Sequence, residues 1–199
     1  MKHITFYLDF LSPYSLLAFE KLPEALMGLS YSVSYRPVLL GAILRHHQLL
    51  GPAEVPAKRD WSYRHVRWLG HRHDVRLEMP AVHPFNALPL LRLAIACAGA
   101  GDPNRYVCET LLRHVWHGGA DAIDPQRLAQ LQQQLEPPLA VDDDAVKARL
   151  RQNTDEAIAA GVFGVPAMVV DGQLFWGFDA LPMLRACMEG DAWFTAPPP

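Results

Sequence analysis

Two hydroxyl side chains flank a proline and a tyrosine at 12–15, in the order Ser-Pro-Tyr-Ser, shortly after an apolar segment at 3–8. Ser12 followed by Pro13 is typical of a helix N-terminus, because the hydroxyl can cap the helix and proline loses no hydrogen bond at the first position. A helix that begins right after a strand can also hold an anion or a thiolate, since its free N–H groups and its dipole point there. The local sequence leaves both interpretations open: a plain helix cap, or one wall of an anion site.

Two segments near the C-terminal end could take part in the same chemistry. Pro166 precedes an apolar run at 167–170, and a proline in that place is often only a strand boundary. The sequence Trp-Gly-Phe-Asp at 176–179 comes before the last helical pattern, where Asp179 could act as an N-cap. The N-terminus of that helix could also hold a carboxylate on its backbone N–H groups, and both interpretations can hold at once.

Hydrophobic patterning predicts the elements that would position these residues. Strands are predicted at 3–8, 31–36, 167–170 and 173–176, with an Asp-Gly turn between the last two. Helices are predicted from Pro13 to about 26, and at 39–49, 60–73, 86–98, 104–116, 125–135, 142–160 and 180–188. The order is therefore βαβ, a long helical block, and ββα. We predict one small α/β domain formed by 1–40 and 162–199, with 41–161 inserted into it as a helical domain.

Composition limits the classes of partner. Of 199 residues, 50% are hydrophobic and 20% are charged, which is typical of a globular protein with a real core. The net charge of -3 gives no reason to expect nucleic acid as a partner. No apolar run has the roughly 20 residues of a membrane helix, and no signal peptide is recognisable, so we expect a cytoplasmic protein without membrane contact.

Neither cysteine nor histidine spacing predicts a metal site. The three cysteines, Cys97, Cys108 and Cys187, contain no C-x-x-C pair, and each is interpreted as a buried apolar residue. The histidines at 65, 71, 73, 114 and 117 lack the spacing of a ligand set and are interpreted as surface residues. We therefore predict no metal.

Five segments of the chain resemble the 2-hydroxychromene-2-carboxylate isomerase family. The segment at 7–15 resembles the F-Y-x-D-F-x-S-P-Y-S start of that family, and 161–166 with 175–179 resembles its G-V-F-G-V-P and W-G-x-D end. The segments at 55–59 and 83–86 also match stretches within the family. The family is grouped with DsbA-like proteins and kappa-class glutathione transferases. The resemblance implies an α/β fold, a thioredoxin-like βαβ…ββα domain with a large all-helical insertion.

The same resemblance implies that the reactive thiol comes from a bound molecule and not from the chain itself. Thioredoxin-like redox proteins begin their first helix with C-x-x-C, whereas this chain has Ser-Pro-Tyr-Ser at 12–15, so disulfide exchange from this position is excluded. Glutathione is the implied source of the thiol, and Ser12 would donate its hydroxyl to the sulfur. The Val165–Pro166 bond would be cis, with the backbone of Val165 pairing with the cysteinyl backbone of glutathione.

Further site residues follow from the resemblance alone. The γ-glutamyl end of glutathione would be bound at Trp176, Gly177, Phe178 and Asp179, with Asp179 pairing with the ammonium group and Phe178 offering only its backbone. Lys58, placed in a loop before the helix predicted at 60–73, would bind a carboxylate of glutathione or of the substrate. His83 would lie in the substrate pocket.

The leading hypothesis for function is a glutathione-dependent isomerase. The resemblance implies interconversion of 2-hydroxychromene-2-carboxylate, an aromatic substrate, and trans-o-hydroxybenzylidenepyruvate by reversible thiolate addition. Two alternatives stay open at this point. One is a kappa-type glutathione transferase or peroxidase acting on another electrophile, and the other is a non-catalytic thioredoxin-like protein that binds a partner beside Pro166. A homodimer is expected, since dimers are common in this group.

Overall fold

The strands of the computed structural model, which describes residues 1–194, form one mixed sheet. They are β1 (Lys2–Leu8), β2 (Tyr31–Pro37), β3 (Ala167–Val170) and β4 (Gln173–Trp176), arranged in the order β2-β1-β3-β4. β1 is parallel to β2 and antiparallel to β3, and β3 is antiparallel to β4. All four predicted strands are confirmed, and the last two have the predicted bounds.

Helices fill the rest of the described chain. They are α1 (Pro13–Ala25), α2 (Leu40–His46), α3 (Pro56–Arg72), α4 (Leu88–Ala98), α5 (Arg105–Trp116), α6 (Pro125–Leu135), α7 (Asp144–Ala159) and α8 (Leu181–Glu189). Short 3-10 turns lie at Pro52–Glu54 and Ala192–Phe194. The start of α6 follows its local signal closely, because Asp124 caps it by accepting the Arg127 N–H at 2.9 Å and Pro125 takes the first position.

Two helix boundaries differ from the prediction by three residues or more. α3 begins at Pro56 rather than at residue 60, because proline is well suited to the first helical position, and Lys58 therefore lies in a helical turn instead of a loop. α2 ends at His46 rather than at residue 49. The apolar pattern that extended this helix included Leu49, which is exposed, so the pattern there does not mark a buried helix face.

The two faces of the sheet are covered by different helices. Successive side chains of a strand point to opposite faces, so Phe6 belongs to the main core with α1 and α8, whereas Tyr7 belongs to a smaller cluster on the other face. In that cluster Tyr7 joins Ala167 and Ala157, which bring β3 and α7 together. The helix α7 thus lies against the sheet although it falls within 41–161. The division into 1–40 with 162–199 and 41–161 stays a proposal, and 195–199 lies outside the described residues.

Strand register decides which loops meet. Tyr7 pairs with Arg36 on one side and with Ala167 on the other, near the end of β1. The loop that leaves β1 towards α1 is therefore next to the segment that enters β3. This places Ser12 beside Pro166, two positions that the sequence analysis predicted to act together.

Candidate active site

The Ser12 hydroxyl and the Val165–Pro166 peptide are in direct contact. The peptide is cis, as the resemblance implied. Ser12 Oγ donates to the Val165 carbonyl oxygen at 3.3 Å and makes no capping hydrogen bond to α1, although Ser12 occupies the N-cap position with extended backbone. The interpretation of Ser12 as a plain cap is therefore wrong. The Val165 N–H has no hydrogen-bond partner within residues 1–194.

A buried carboxylate holds the loop that leads to Ser12. Asp9 is 1% exposed, and its two carboxylate oxygens accept the N–H groups of Leu11 and Leu40, each at 3.0 Å. Its backbone carbonyl accepts the Ser12 N–H at 3.1 Å. Asp9 thus joins the loop before α1 to the first residue of α2. The sequence analysis missed this role, because a local sequence does not show which backbone groups a carboxylate will reach.

The contribution of Asp9 to the free energy of unfolding should be larger in mild acid than at neutral pH. Burial raises the pKa of Asp9 from 3.8 to about 6, against the opposing effect of its two backbone hydrogen bonds. A carboxyl group with a raised pKa in the folded state stabilises the fold fully below pH 4, and this contribution is lost as the pH rises through 6. Between pH 7 and pH 5 the gain from Asp9 is about 1 kcal/mol.

Urea unfolding of the wild type and of Asp9→Asn at pH 5 and pH 7 measures this contribution. The change in the free energy of unfolding between the two pH values is compared between the two proteins. The comparison is needed because burial lowers the pKa values of His83, His114 and His117, which destabilises the fold in acid. The pH-dependent gain should be larger in the wild type than in Asp9→Asn. Equal pH dependence in the two proteins would show that Asp9 does not titrate in this range.

Two ring N–H groups hold successive carbonyls of the same loop. Trp116 on α5 donates from Nε1 to the Phe10 carbonyl oxygen at 3.0 Å, and it is fully buried. His83 lies in the segment before α4, and its Nε2 is 2.9 Å from the Leu11 carbonyl oxygen. Sequence reasoning missed Trp116, and it predicted His83 as a substrate-pocket residue. In the structure both ring nitrogens of His83 have protein partners, Leu11 and Tyr63.

The side chain of Tyr14 connects α1 to α3. Tyr14 Oη lies 3.1 Å from His65 Nδ1, and the His65 ring stacks on Trp61 with 4.5 Å between ring centroids. His65 is half-buried and bonded, and so is His114, whose Nε2 lies 2.9 Å from the Ala122 carbonyl oxygen, so the interpretation of these two histidines as surface residues is wrong. The spacing of 61, 65 and 68 indicated a helical face in the sequence, but not the partner that this face would meet.

A shallow cavity of about 490 Å³, wide open to solvent, lies at the start of α3 and is lined by Pro52, Ala57, Lys58, Trp61 and Ser62. Lys58 is exposed on the first turn of the helix. Trp61 contributes an aromatic wall, and through His65 it is linked to Tyr14 in the 12–15 segment. A cation and an aromatic ring at one cavity are suited to a planar, negatively charged molecule.

The segment at 176–179 completes the surroundings of Pro166. The Gly177 N–H donates to the Pro166 carbonyl at 2.9 Å. Gly177 has a φ of +95°, a backbone conformation that residues with a side chain rarely adopt, so this position favours glycine. Trp176 is 52% exposed and contacts the Phe163 ring, whereas the Phe178 side chain is buried against His73 at 4.9 Å between centroids.

The Asp179 carboxylate is available to a ligand. The N-cap of α8 is Ala180, so the interpretation of Asp179 as the cap is wrong. Asp179 is exposed, and its carboxylate has no hydrogen-bond or ion-pair partner within residues 1–194. It nevertheless lies near the 12–15 segment, because its charge affects the pKa of Tyr14. Burial raises the pKa of Tyr14, a hydrogen bond with Ser62 lowers it, and the negative charge of Asp179 raises it further.

The described part of the chain lacks a metal site and a membrane-spanning helix. Within residues 1–194, no group of three or more His, Cys, Asp or Glu side chains is arranged to hold a metal ion. None of the helices described there combines the length and apolar character that crossing a bilayer requires.

Comparison with known proteins places this arrangement in a family. Residues 3–189 match the family model of the DSBA-like thioredoxin domain. The chain is 29% identical over 197 residues to a 2-hydroxychromene-2-carboxylate isomerase of Sphingobium xenophagum, covering 93% of this chain and 97% of that protein. It is 26% identical over 203 residues to glutathione S-transferase kappa 2 of Caenorhabditis elegans, covering 92% and 90%.

A solved structure supports the same fold. The structure of a 2-hydroxychromene-2-carboxylate isomerase superposes with a TM-score of 0.81 at 23% identity, covering 94% of each chain. The predicted α/β class, a thioredoxin-like fold in which helices are inserted between βαβ and ββα, is thereby confirmed. Since the family model spans nearly the whole chain, this protein belongs to the DSBA-like thioredoxin domain family.

Proposed function

We propose that this protein is a glutathione-dependent isomerase that interconverts 2-hydroxychromene-2-carboxylate and trans-o-hydroxybenzylidenepyruvate. The proposal is supported by relatives named as such isomerases at 24% to 29% identity. The observation that carries it is the Ser12 hydroxyl, which lies at the N-terminus of α1 and is directed at the Val165 carbonyl at 3.3 Å, where family members with redox activity have a thiol. Because the chain has no thiol at this position, sulfur chemistry here would take its thiol from a bound molecule.

The residues present fit glutathione. Its cysteinyl backbone can pair with the Val165 N–H, which has no partner among the described residues, and with the second lone pair of the Val165 carbonyl. Its ammonium group can pair with the available Asp179 carboxylate. Of the backbone N–H groups at 176–179, that of Gly177 already donates to the Pro166 carbonyl, whereas that of Phe178 has no partner within residues 1–194 and can bind the γ-glutamyl carboxylate.

The chain itself contributes orientation and electrostatics. Glutathione, when bound, supplies the thiol whose reversible addition to the conjugated substrate allows ring opening and rotation. Ser12 would turn its hydroxyl proton from the Val165 carbonyl towards the sulfur, and the N-terminus of α1 adds a favourable field for negative charge. Together these favour a thiolate at neutral pH.

The cavity at the start of α3 is the proposed place of the aromatic substrate. Lys58 would pair with its carboxylate, and Trp61 would stack on its ring. His83 stays a candidate for substrate contact only if one of its two protein hydrogen bonds is exchanged. A homodimer and a cytoplasmic location remain part of the proposal.

A kappa-type glutathione transferase or peroxidase is the second candidate. It is supported by the 26% identity to a glutathione S-transferase kappa, and it shares the proposed glutathione site. It differs in the electrophile that the cavity beside Lys58 accepts. The non-catalytic alternative, a protein that binds a partner beside Pro166, predicts no turnover of either kind.

Glutathione should raise the melting temperature. A ligand present at 100 times its Kd stabilises the native state by about 2.7 kcal/mol, which for a chain of this size is roughly 5 to 10 °C. The increase should be clearly smaller for Asp179→Asn, and unchanged for Asp155→Asn, which alters an exposed carboxylate on α7. Melting curves over a glutathione series measure these differences.

Direct assays then separate the candidates. Isomerisation of 2-hydroxychromene-2-carboxylate that requires glutathione supports the leading proposal. Conjugation or peroxide reduction without isomerisation supports the transferase alternative. No thermal shift at millimolar glutathione would exclude both enzymatic candidates and leave the non-catalytic one.

A further inference from the structure

The surroundings of His83 define which of its two ring nitrogens carries a hydrogen atom. Its Nε2 lies 2.9 Å from the Leu11 carbonyl oxygen, which can only accept, so Nε2 carries a hydrogen atom. Tyr63 Oη lies 2.6 Å from Nδ1 and 3.1 Å from the backbone carbonyl of His83 itself. In the neutral ring Nδ1 accepts the Tyr63 hydroxyl proton, and Nε2 donates to Leu11.

The carbonyl that His83 holds belongs to the peptide directly before Ser12. The N–H of the same peptide, that of Ser12, donates to the Asp9 carbonyl at 3.1 Å. Both polar ends of this peptide are therefore fixed. Its orientation sets the direction in which the Ser12 side chain leaves the backbone, and the Ser12 hydroxyl reaches Val165 at 3.3 Å from that backbone.

The His83 ring is itself held by packing. It lies 5.3 Å from the Tyr63 ring and 5.4 Å from the fully buried Trp116, centroid to centroid. Trp116 in turn donates to the Phe10 carbonyl, one residue before Leu11. Residues of the helical block thus donate hydrogen bonds to two consecutive carbonyls of the loop that carries Ser12.

We propose that His83 is a positioning residue, which orients the Ser12 hydroxyl through the Leu11 carbonyl while Tyr63 binds the other ring nitrogen. This inference rests on the proposed function for its catalytic consequence. Because both ring nitrogens are committed to protein partners, His83 acts on the loop rather than on the substrate. Any side chain that donates a hydrogen bond from the place of Nε2 should therefore preserve turnover.

Two amides of different length test this claim. Glutamine can place its N–H group near the position of Nε2, whereas asparagine reaches only about as far as Nδ1. His83→Gln should keep kcat within about threefold of the wild type, and His83→Asn should lose about tenfold or more, since a small misplacement of a reacting group is costly. The KM values for glutathione and for the substrate should change little in either variant.

A readout that needs no glutathione follows from Ser12→Cys. The introduced thiol should have a pKa below the ordinary value of about 8.5 because it lies at a helix N-terminus. With His83→Gln the rate of its alkylation by iodoacetamide at pH 7 should be unchanged, and with His83→Asn the rate should fall about threefold or more as the thiolate fraction drops. The wild type gives the background alkylation rate, because its own cysteines should react slowly. Burial raises the pKa values of Cys97 and Cys108, and Cys187 is buried as well.

The two readouts separate failure of this inference from failure of the proposed function. If the wild type shows no glutathione-dependent activity but the introduced thiol distinguishes glutamine from asparagine at 83, positioning stands and the proposed function fails. If kcat and alkylation rate are the same in both amide variants, the positioning role is excluded. A raised substrate KM in both variants, with alkylation unaffected, would return His83 to the substrate pocket.

Discussion

Ser12→Ala is expected to lower the kcat of glutathione-dependent isomerisation by about 10²-fold, the usual cost of removing one donor to a developing anion. The fold should survive, because the Ser12 hydroxyl does not cap α1 and, within residues 1–194, its only hydrogen bond is the 3.3 Å contact with the Val165 carbonyl. Losing that bond costs about 1 kcal/mol. Steady-state kinetics with saturating glutathione and a thermal melt measure the two effects.

Ser15→Ala is the matched control for this substitution. Ser15 lies on the same helix and is fully buried, and its hydroxyl has no hydrogen-bond partner within the described residues. Removing a buried hydroxyl without a partner should leave activity unchanged and raise the melting temperature slightly. Wild-type kinetics in Ser12→Ala would remove Ser12 from the mechanism, and equal losses in both variants would point to general damage to α1.

Trp116→Ala should give the largest loss of stability. Trp116 is fully buried where α5 meets the loop before Ser12, and its Nε1 is the donor to the Phe10 carbonyl. Truncating such a ring costs about 3 to 5 kcal/mol, a large part of the 5 to 15 kcal/mol that keeps a typical domain folded. Chemical denaturation followed by circular dichroism measures the change in the free energy of unfolding.

Trp116→Phe keeps the prediction testable if the alanine variant does not fold. Phenylalanine retains most of the packing but leaves the Phe10 carbonyl without its donor, which costs about 1 to 3 kcal/mol. kcat should also fall, because the loop that carries Ser12 is less firmly held. Trp193→Phe, at a 67% exposed tryptophan, should change stability by no more than about 0.5 kcal/mol. Equal effects at 116 and 193 would contradict the role given to Trp116.

Elements with strong local signals could be predicted from the sequence. The strands Ala167–Val170 and Gln173–Trp176 follow from a short apolar run and an Asp-Gly turn, and the start of α6 follows from Asp124 and Pro125. These features depend on residues within a few positions of one another. The two largest boundary errors, at the start of α3 and at the end of α2, arose where a neighbouring pattern did not show which side chains would be buried.

The polar contacts of the site could not be predicted in the same way. Asp9, Tyr63 and Trp116 act through partners that are remote in sequence, and no sequence pattern showed which partners these would be. Asp179 had an adequate local explanation as a helix cap, and the structure contradicts it. When the neighbouring residues already explain a side chain, the local sequence does not show that this side chain has a different role.

The chemistry of the 12–15 segment therefore has two sources. The sequence alone determined that serines stand where a redox relative has thiols, so that this position cannot exchange disulfides, and it determined the order of strands and helices around it. Only the tertiary structure decided where the Ser12 hydroxyl points and what holds its loop. The reason is physical: helix starts and strand alternation are set by near neighbours, whereas the bonds from His83 to Leu11 and from Trp116 to Phe10 join residues 72 and 106 positions apart, which meet only when the helical block packs against the end of β1.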